Sequence, residues 1–182
     1  EALAEKKIIV TDTVFSMDGD VAPLARLVEL GKVHGALVVV DEAHAMGVLG
    51  RGRGLVAALG LSDDVDVQVG TMSKALGSLG GYVAGRVETI ELLRNKGRSF
   101  IFSTALPPAV LAAGLAALRH VKANPGLGAR LMRVSRQIRD HLDSLGFDTM
   151  GSTTQIIPVF CGKNRVALHA QALLRAEGLL VA

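Results

Sequence analysis

The sequence is poor in cysteine and in aromatic residues, and each shortage excludes something. A single cysteine, Cys161, excludes a disulfide within these 182 residues, which fits a reducing compartment and predicts a cytoplasmic protein. Cys161 lies in an apolar run, so we expect a small core residue rather than a nucleophile. With no Trp and one Tyr, the core must consist of Val, Leu, Ile and Ala, a composition typical of buried parallel strands flanked by helices.

The sequence also lacks a strong excess of one charge and a long apolar run. The 20 Lys and Arg residues against 17 Asp and Glu residues give a net charge of +3. No basic block with interleaved aromatic residues occurs, so we expect no nucleic-acid partner. The longest apolar stretch, 105–118, contains two prolines and is shorter than the ~20 residues that span a bilayer. We therefore expect a buried helix there and no membrane partner.

Strand-like and helix-like segments alternate along the chain. We predict strands at 7–10, 36–40, 65–69, 82–84, 100–102 and 156–160, and helices at 23–34, 88–96, 107–122, 127–145 and 166–176. This alternation predicts an α/β fold with a mostly parallel sheet and flanking helices. A break at Asn124-Pro125 predicts a domain boundary between 1–123 and 124–182. The chain begins in mid-pattern, and we expect a fragment of a longer protein.

Two residues suited to chemistry follow two of these strands. Asp41 comes directly after the apolar run 36–40, and Lys74 follows the run 65–69. Sites in α/β proteins form at the carboxyl ends of parallel strands, so we expect these two side chains at one sheet edge. Pyridoxal phosphate (PLP) requires a lysine for its Schiff base and an acid for its ring nitrogen. His44, three residues after Asp41, is placed to contact the same ligand, but for this segment alone the favoured interpretation is a strand-end acid that caps the next turn beside a partly exposed histidine.

The segment Asp41-Glu42-Ala43-His44 leaves a second class of protein open. A hydrophobic strand followed by these four residues is also the magnesium-binding signature of one class of ATP-driven helicases. No G-x-x-x-x-G-K-[ST] phosphate loop occurs in the 182 residues, but only 40 residues precede Asp41. The segment alone does not decide between the two classes.

Several hydroxyl side chains lie where a phosphate could bind. Thr71 and Ser73 stand on a glycine-rich turn beside the candidate lysine, and hydroxyl and backbone donors on such turns hold phosphates. Ser16 follows the first predicted strand. Ser103 and Thr104 precede a helix that begins with proline, where capping of the helix is the simpler role. We assign no metal ligand.

Four segments together closely resemble the α-oxoamine synthase family of PLP-dependent transferases. They are 11–20, 40–50, 70–77 and 100–108, in the order and at closely similar spacings to those of the family. The resemblance implies fold type I of the PLP-dependent transferases, the aspartate-aminotransferase-like fold. The chain would then hold part of the large PLP-binding domain and the start of a smaller C-terminal α/β domain.

The resemblance also implies a role for each candidate residue. Lys74 resembles the Schiff-base lysine, and Asp41 resembles the partner of the pyridine nitrogen. His44 resembles the residue that contacts the phenolic oxygen of PLP and helps to position the substrate. Ser16 and Thr71 resemble further cofactor contacts.

Ser103 and Thr104 resemble a phosphate contact that reaches across from a neighbouring subunit, which implies a homodimer with shared active sites. The family's cofactor-stacking aromatic residue and its substrate-binding C-terminal arginine cannot be placed in this sequence. We therefore do not expect these 182 residues to be active alone.

The implied reaction is a decarboxylative condensation of an amino acid with an acyl thioester that gives an α-amino ketone. Lys74 would remove the Cα proton of the amino acid. L-alanine and a pimeloyl thioester, carried on CoA or an acyl-carrier protein, are the favoured substrates, as in biotin synthesis. The glycine-using and serine-using branches of the family are the alternatives.

Overall fold

A computed structural model describes residues 6–182 and shows one mixed sheet with helices packed around it. The strands are β1 (Lys7–Asp12), β2 (Ala36–Asp41), β3 (Val67–Thr71) and β4 (Gly81–Gly85). They lie in the order β1-β2-β3-β4. The first three are parallel, and β4 is antiparallel to β3. The predicted α/β class with a mostly parallel sheet is confirmed.

Seven α-helices and one turn of 3-10 helix (Gly50–Gly52) accompany the sheet in the described part of the chain. The helices are α1 (Leu24–His34), α2 (Leu55–Ala58), α3 (Val87–Lys96), α4 (Arg98–Ile101), α5 (Pro108–Ala123), α6 (Leu127–Ser144) and α7 (Asn164–Ala176). Pro108 occupies the first turn of α5, as predicted. α6 stops before Gly146, whose φ of +83° a glycine adopts without strain.

The register of the parallel strands decides where polar side chains meet. Asp12 of β1 pairs with Asp41 of β2, and Asp41 pairs with Val69 of β3. The carboxyl ends of three strands therefore reach one edge of the sheet. Below this edge lies a core of nine buried side chains: Val14, Leu24, Val28, Val38, Val40, Ala45, Leu55, Val56 and Val65. This core fixes β2 between α1 and the segment that contains α2.

Two predicted strands are wrong, and a third is displaced. The segment 100–102 falls in α4 and the turn after it, because its backbone N–H groups bond locally, as in Ile101 N–H to Gly97 O at 3.0 Å. The segment 156–160 pairs with no strand of residues 6–182. β3 begins and ends two residues later than predicted, so it ends at Thr71 rather than Val69.

The helix predicted over the apolar stretch 105–118 forms, but its burial was overestimated. α5 packs on the sheet side through Gly114, and Ser78 Oγ donates to Val110 O at 2.8 Å. Leu111 and Leu115, by contrast, are each 48% exposed. Cys161 is only partly buried, which contradicts the expected core position. Within residues 6–182, the helices are all too short or too polar to cross a bilayer.

The region after α5 contacts the turns that follow β1 and β2 at two places. In α6, Gly128 packs against the backbone of Val48 so closely that a Cβ there would lie 1.9 Å from Val48 O. Beyond α6, the buried residues Ser152 and Thr154 lie against Gly19. The division into domains 1–123 and 124–182 stays a prediction.

Candidate active site

Asp41 is the last residue of β2 and is held in place by the turn that follows it. Its Oδ1 accepts a hydrogen bond from Ala43 N–H at 2.7 Å, and the side chain is half-buried. Thr13, at the end of β1, donates through its backbone N–H and its hydroxyl to Asp41 O at 2.9 and 3.0 Å. The structure therefore places this carboxylate at the carboxyl edge of the sheet, as predicted.

His44 lies in the turn after β2, and the charges around it show which side chains converge. Burial lowers the pKa of His44 below its usual value, and the positive charge of Lys74 lowers it further. The negative charges of Asp12 and Asp41 oppose this by raising the same pKa. The imidazole is therefore mainly neutral near pH 7. The charges of both Lys74 and Asp41 act on His44, so the three predicted reactive side chains lie near one another.

Lys74 stands on a compact loop between β3 and β4. The loop is closed by Met72 N–H to Gly80 O at 2.9 Å, by Ser78 N–H to Met72 O at 2.7 Å, and by Gly77 N–H to Lys74 O at 3.0 Å. The lysine itself is exposed. A fixed backbone thus carries an accessible amine, which is what a covalent attachment to a small molecule requires.

The hydroxyls of Thr71 and Ser73 form a pair at the start of this loop. Their oxygens lie 2.7 Å apart, and Thr71 Oγ1 also donates to Gly80 O at 3.1 Å. Thr71 Oγ1 accepts from Ser73 N–H at 3.2 Å. Ser73 is exposed. The two hydroxyls therefore lie three residues and one residue before Lys74, and the exposed Ser73 can offer a hydroxyl donor to an anionic group.

Among residues 6–182, the other predicted contacts make no hydrogen bond to the side chains of this cluster. Ser16 is exposed in a turn that closes through Gly19 N–H to Phe15 O at 3.1 Å. Ser103 donates to the carbonyl of Ser99, and both Ser103 and Thr104 are exposed. Neither caps α5, whose N-cap residue is Pro107, so the capping interpretation is wrong.

Glu42 is a buried residue whose structural role the sequence analysis missed. Its side chain is 3% exposed. One carboxylate oxygen, Oε2, accepts from Leu55 N–H at 2.9 Å and Thr13 Oγ1 at 3.1 Å. The other, Oε1, accepts from Val56 N–H at 2.7 Å. Glu42 thus ties the ends of β1 and β2 to the start of α2, and the glycine-rich stretch after it was the only signal in the sequence.

Tyr82 and Gln155 also lie near the candidate site without having been predicted. Burial raises the pKa of Tyr82, and the negative charges of Glu42 and Asp41 add to this. Gln155 Nε2 donates to His44 O at 2.7 Å. Gln155 and His44 are 111 positions apart in the chain, so no local sequence pattern could have revealed this hydrogen bond.

Comparison with known families identifies the class of protein. Residues 1–182 match the family described as "Aminotransferase class I and II", and the chain belongs to that family. It is 52% identical over 181 residues to the 8-amino-7-oxononanoate synthase of Geobacter sulfurreducens, covering 98% of this chain and 46% of that protein. It is 50% identical to the enzyme of the same name from Anaeromyxobacter dehalogenans, covering 98% of this chain and 45% of that protein. The chain thus spans about half the length of the curated relatives it matches.

Solved structures agree with this assignment. A serine palmitoyltransferase from S. paucimobilis, with a bound PLP-myriocin adduct, superposes with a TM-score of 0.91 at 35% identity, covering 97% of this chain and 47% of that one. The 8-amino-7-oxononanoate synthase of Francisella tularensis superposes with a TM-score of 0.83 at 26% identity, covering 100% of this chain and 54% of that one. The predicted fold type and the resemblance to α-oxoamine synthases are confirmed. The family assignment also decides against the helicase interpretation of Asp41 to His44.

Proposed function

We propose that the gene product carrying this sequence is a PLP-dependent C-acyltransferase that condenses an amino acid with an acyl thioester and releases CO2. The observation that supports this most directly is the convergence of an exposed lysine and a strand-end carboxylate on one histidine. The electrostatic influence of Lys74 and Asp41 on His44 expresses that convergence. The relatives that are about half identical to this chain are named for one such reaction.

The side chains present fit PLP in their chemistry. Lys74 offers an amine, and the Thr71 and Ser73 hydroxyls beside it suit a phosphate. Asp41 offers a carboxylate for a protonated ring nitrogen, and His44 offers a neutral imidazole for the phenolic oxygen. When bound, the cofactor supplies an electron sink for the carbanion formed at the substrate Cα.

The protein's own groups would hold the ligand and move the proton. Asp41, oriented by Ala43 N–H, would keep the nitrogen proton in place through charge and hydrogen bonding. The Lys74 amine would accept the Cα proton, a general-base role that contributes about 10²–10⁴-fold to a rate. His44, being mainly neutral, could donate to the substrate through one ring nitrogen without adding a second cation beside Lys74.

We further propose L-alanine and a pimeloyl thioester, on CoA or an acyl-carrier protein, as the substrates. The support is the name of the relatives at about 50% identity, 8-amino-7-oxononanoate synthase, against 35% for the serine palmitoyltransferase. Glycine C-acetyltransferase, 5-aminolevulinate synthase and serine palmitoyltransferase activities are the alternatives within the family.

The homodimer, the cytoplasmic location and the division at residue 124 also belong to the proposal. Ser103 and Thr104 are both exposed in this chain, which is compatible with a contact to a phosphate in a neighbouring subunit. A Ser103→Ala change should then weaken cofactor binding in mixed dimers only in the site of the other subunit.

Borohydride trapping tests the proposal at the level of one residue. After the gene product is loaded with PLP and reduced with borohydride, the cofactor should be covalently attached to the peptide that contains Lys74. K74A should carry no attached cofactor. K32A, which removes a surface ion pair to Asp64, is the matched control and should label normally. Thiol release should follow addition of L-alanine with a pimeloyl thioester. A label on another lysine would refute the site, and thiol release only with glycine or serine would refute the substrate.

A further inference from the structure

One short segment from the C-terminal part of the chain contacts two turns that carry predicted site residues, Ser16 in one turn and His44 in the other. This segment, 152–155, follows α6. It contacts the turn that contains Ser16 and Gly19, called the Ser16 turn, and the turn after β2 that contains His44, called the His44 turn. Its own position is set from α6, since Arg139 Nη1 donates to Thr154 O at 2.9 Å. The segment therefore connects a long helix to two turns that carry predicted ligand contacts.

The contact with the Ser16 turn is made through the carbonyl of Gly19. Thr154 Oγ1 donates to Gly19 O at 2.9 Å, and Ser152 Oγ lies 3.3 Å from the same oxygen. Ser152 and Thr154 are 3% and 1% exposed. A Cβ at Gly19 would lie 2.5 Å from both Ile156 O and Ser152 Oγ. The turn and the segment are thus in close, hydrogen-bonded contact.

The contact with the His44 turn is made by a single side chain. Gln155 Nε2 donates to His44 O at 2.7 Å. Gln155 Oε1 is buried and has no donor within residues 6–182. Burying an amide oxygen without a partner costs about 1–3 kcal/mol. If the side chain at position 155 only filled space, an apolar residue would therefore be more stable there than glutamine. The amide N–H is therefore what distinguishes glutamine at this position.

We propose that Gln155 is a positioning residue that fixes the His44 turn through the backbone carbonyl of His44. Its hydrogen bond holds the peptide that carries the imidazole, which lies among the charges of Lys74, Asp12 and Asp41. Loss of this bond lets the turn move and exposes the imidazole to water. The relevance to catalysis rests on the proposed function, whereas the effect on the His44 turn does not.

A Gln155→Met variant isolates the hydrogen bond. Methionine is unbranched and of similar length, fills the same space, and removes both the N–H donor and the unpaired oxygen. Gln171→Met is the matched control, because Gln171 Nε2 also donates to a backbone carbonyl, Val181 O at 3.0 Å. That hydrogen bond is made from α7 and is exposed to solvent. Both variants are made in the complete gene product.

Two measurements on cofactor-free protein decide the proposal. Amide hydrogen exchange over residues 42–49 should be about 3- to 10-fold faster in Q155M, the factor expected from one lost hydrogen bond. The pKa of His44, followed by NMR on labelled histidine and assigned by its absence in H44N, should rise toward its ordinary value of 6.5 as burial decreases. Q171M should change neither quantity.

Steady-state kinetics of the Q155M variant is the third measurement. If His44 helps to position substrate, kcat of Q155M should fall roughly 10-fold with a smaller change in KM for the thioester, since small misplacements reduce rates strongly. Wild-type exchange at 42–49 together with a wild-type His44 pKa would overturn the proposal. So would exchange that increases throughout the protein with a large fall in Tm, because Gln155 would then serve stability alone. If the gene product shows no acyl transfer, the proposed function fails, and the exchange and titration data still decide on Gln155.

Discussion

Glu42 offers the sharpest test of how the sheet edge is built. A Glu42→Gln change keeps the shape of the side chain but replaces one carboxylate oxygen with an NH2 group. Both oxygens accept backbone N–H groups, from Leu55 at 2.9 Å and Val56 at 2.7 Å. Whichever way the amide is turned, its NH2 faces a backbone N–H that also donates. The start of α2 must then separate from the end of β2.

The expected cost follows from the number of contacts and their burial. A hydrogen bond to a charged group contributes about 1.5–3 kcal/mol, and a buried donor left without a partner costs about 1–3 kcal/mol. Because Glu42 is 3% exposed, water cannot replace the lost acceptor. We expect E42Q to lower the free energy of unfolding by about 2–4 kcal/mol, a large part of the ~5–15 kcal/mol typical of a protein.

Urea denaturation of the gene product, followed by circular dichroism, measures this change. The matched control is Glu29→Gln, which removes a surface ion pair to Arg26 at 2.6 Å whose side chains are 61% and 62% exposed. Such pairs contribute about 0–1 kcal/mol, so E29Q should remain close to wild type. An E42Q protein as stable as E29Q would refute the assignment of Glu42 as the group that joins α2 to the sheet edge.

Two further predictions concern the turns beside the site. In urea denaturation, Gly19→Ala should lower the free energy of unfolding by more than Gly60→Ala. Both glycines have a positive φ, +66° and +70°, but of these two only Gly19 would bring a Cβ within 4 Å of other atoms. The backbone strain common to both is about 1–2 kcal/mol, and equal losses would show that segment 152–155 yields without cost. In cofactor-free protein, Lys74→Met should raise the pKa of His44 and Asp41→Asn should lower it, because the two charges act on the imidazole with opposite sign. Histidine NMR titration measures both shifts, and shifts of the same sign would contradict the proposed arrangement.

The central part of the site could be predicted because it depends on short-range order. The run of Val38, Val39 and Val40 is apolar without alternation, which predicts a buried strand, and the structure buries Val38 and Val40 on one face while Val39 on the other face is only partly buried. Such a strand ends where its first charged residue appears, so the position of Asp41 at the sheet edge followed from the sequence. The loop with Lys74 was placed by the same reasoning, even though β3 ends two residues later than predicted.

The contacts that hold the site in place could not be predicted, because they join distant parts of the chain. Gln155 and His44 are separated by 111 residues, and nothing near either residue indicates the other. The wrong strand at 100–102 has a different cause. Phe100 and Phe102 favour a strand by composition, but they are 68% and 76% exposed, so no packing opposes the local helical hydrogen bonds.

The two acids that begin the Asp-Glu-Ala-His segment show why the motif string alone was ambiguous. Where the chain leaves β2, consecutive side chains turn to opposite sides. Asp41 stays half-buried at the edge, with one oxygen bonded to Ala43 N–H, while Glu42 is almost fully buried. An acid that assists hydrolysis of a nucleotide must reach its substrate or a water molecule, and the carboxylate of Glu42 is surrounded by donors of its own chain. The burial of Glu42 and its three hydrogen bonds therefore argue against a role for this acid in nucleotide hydrolysis.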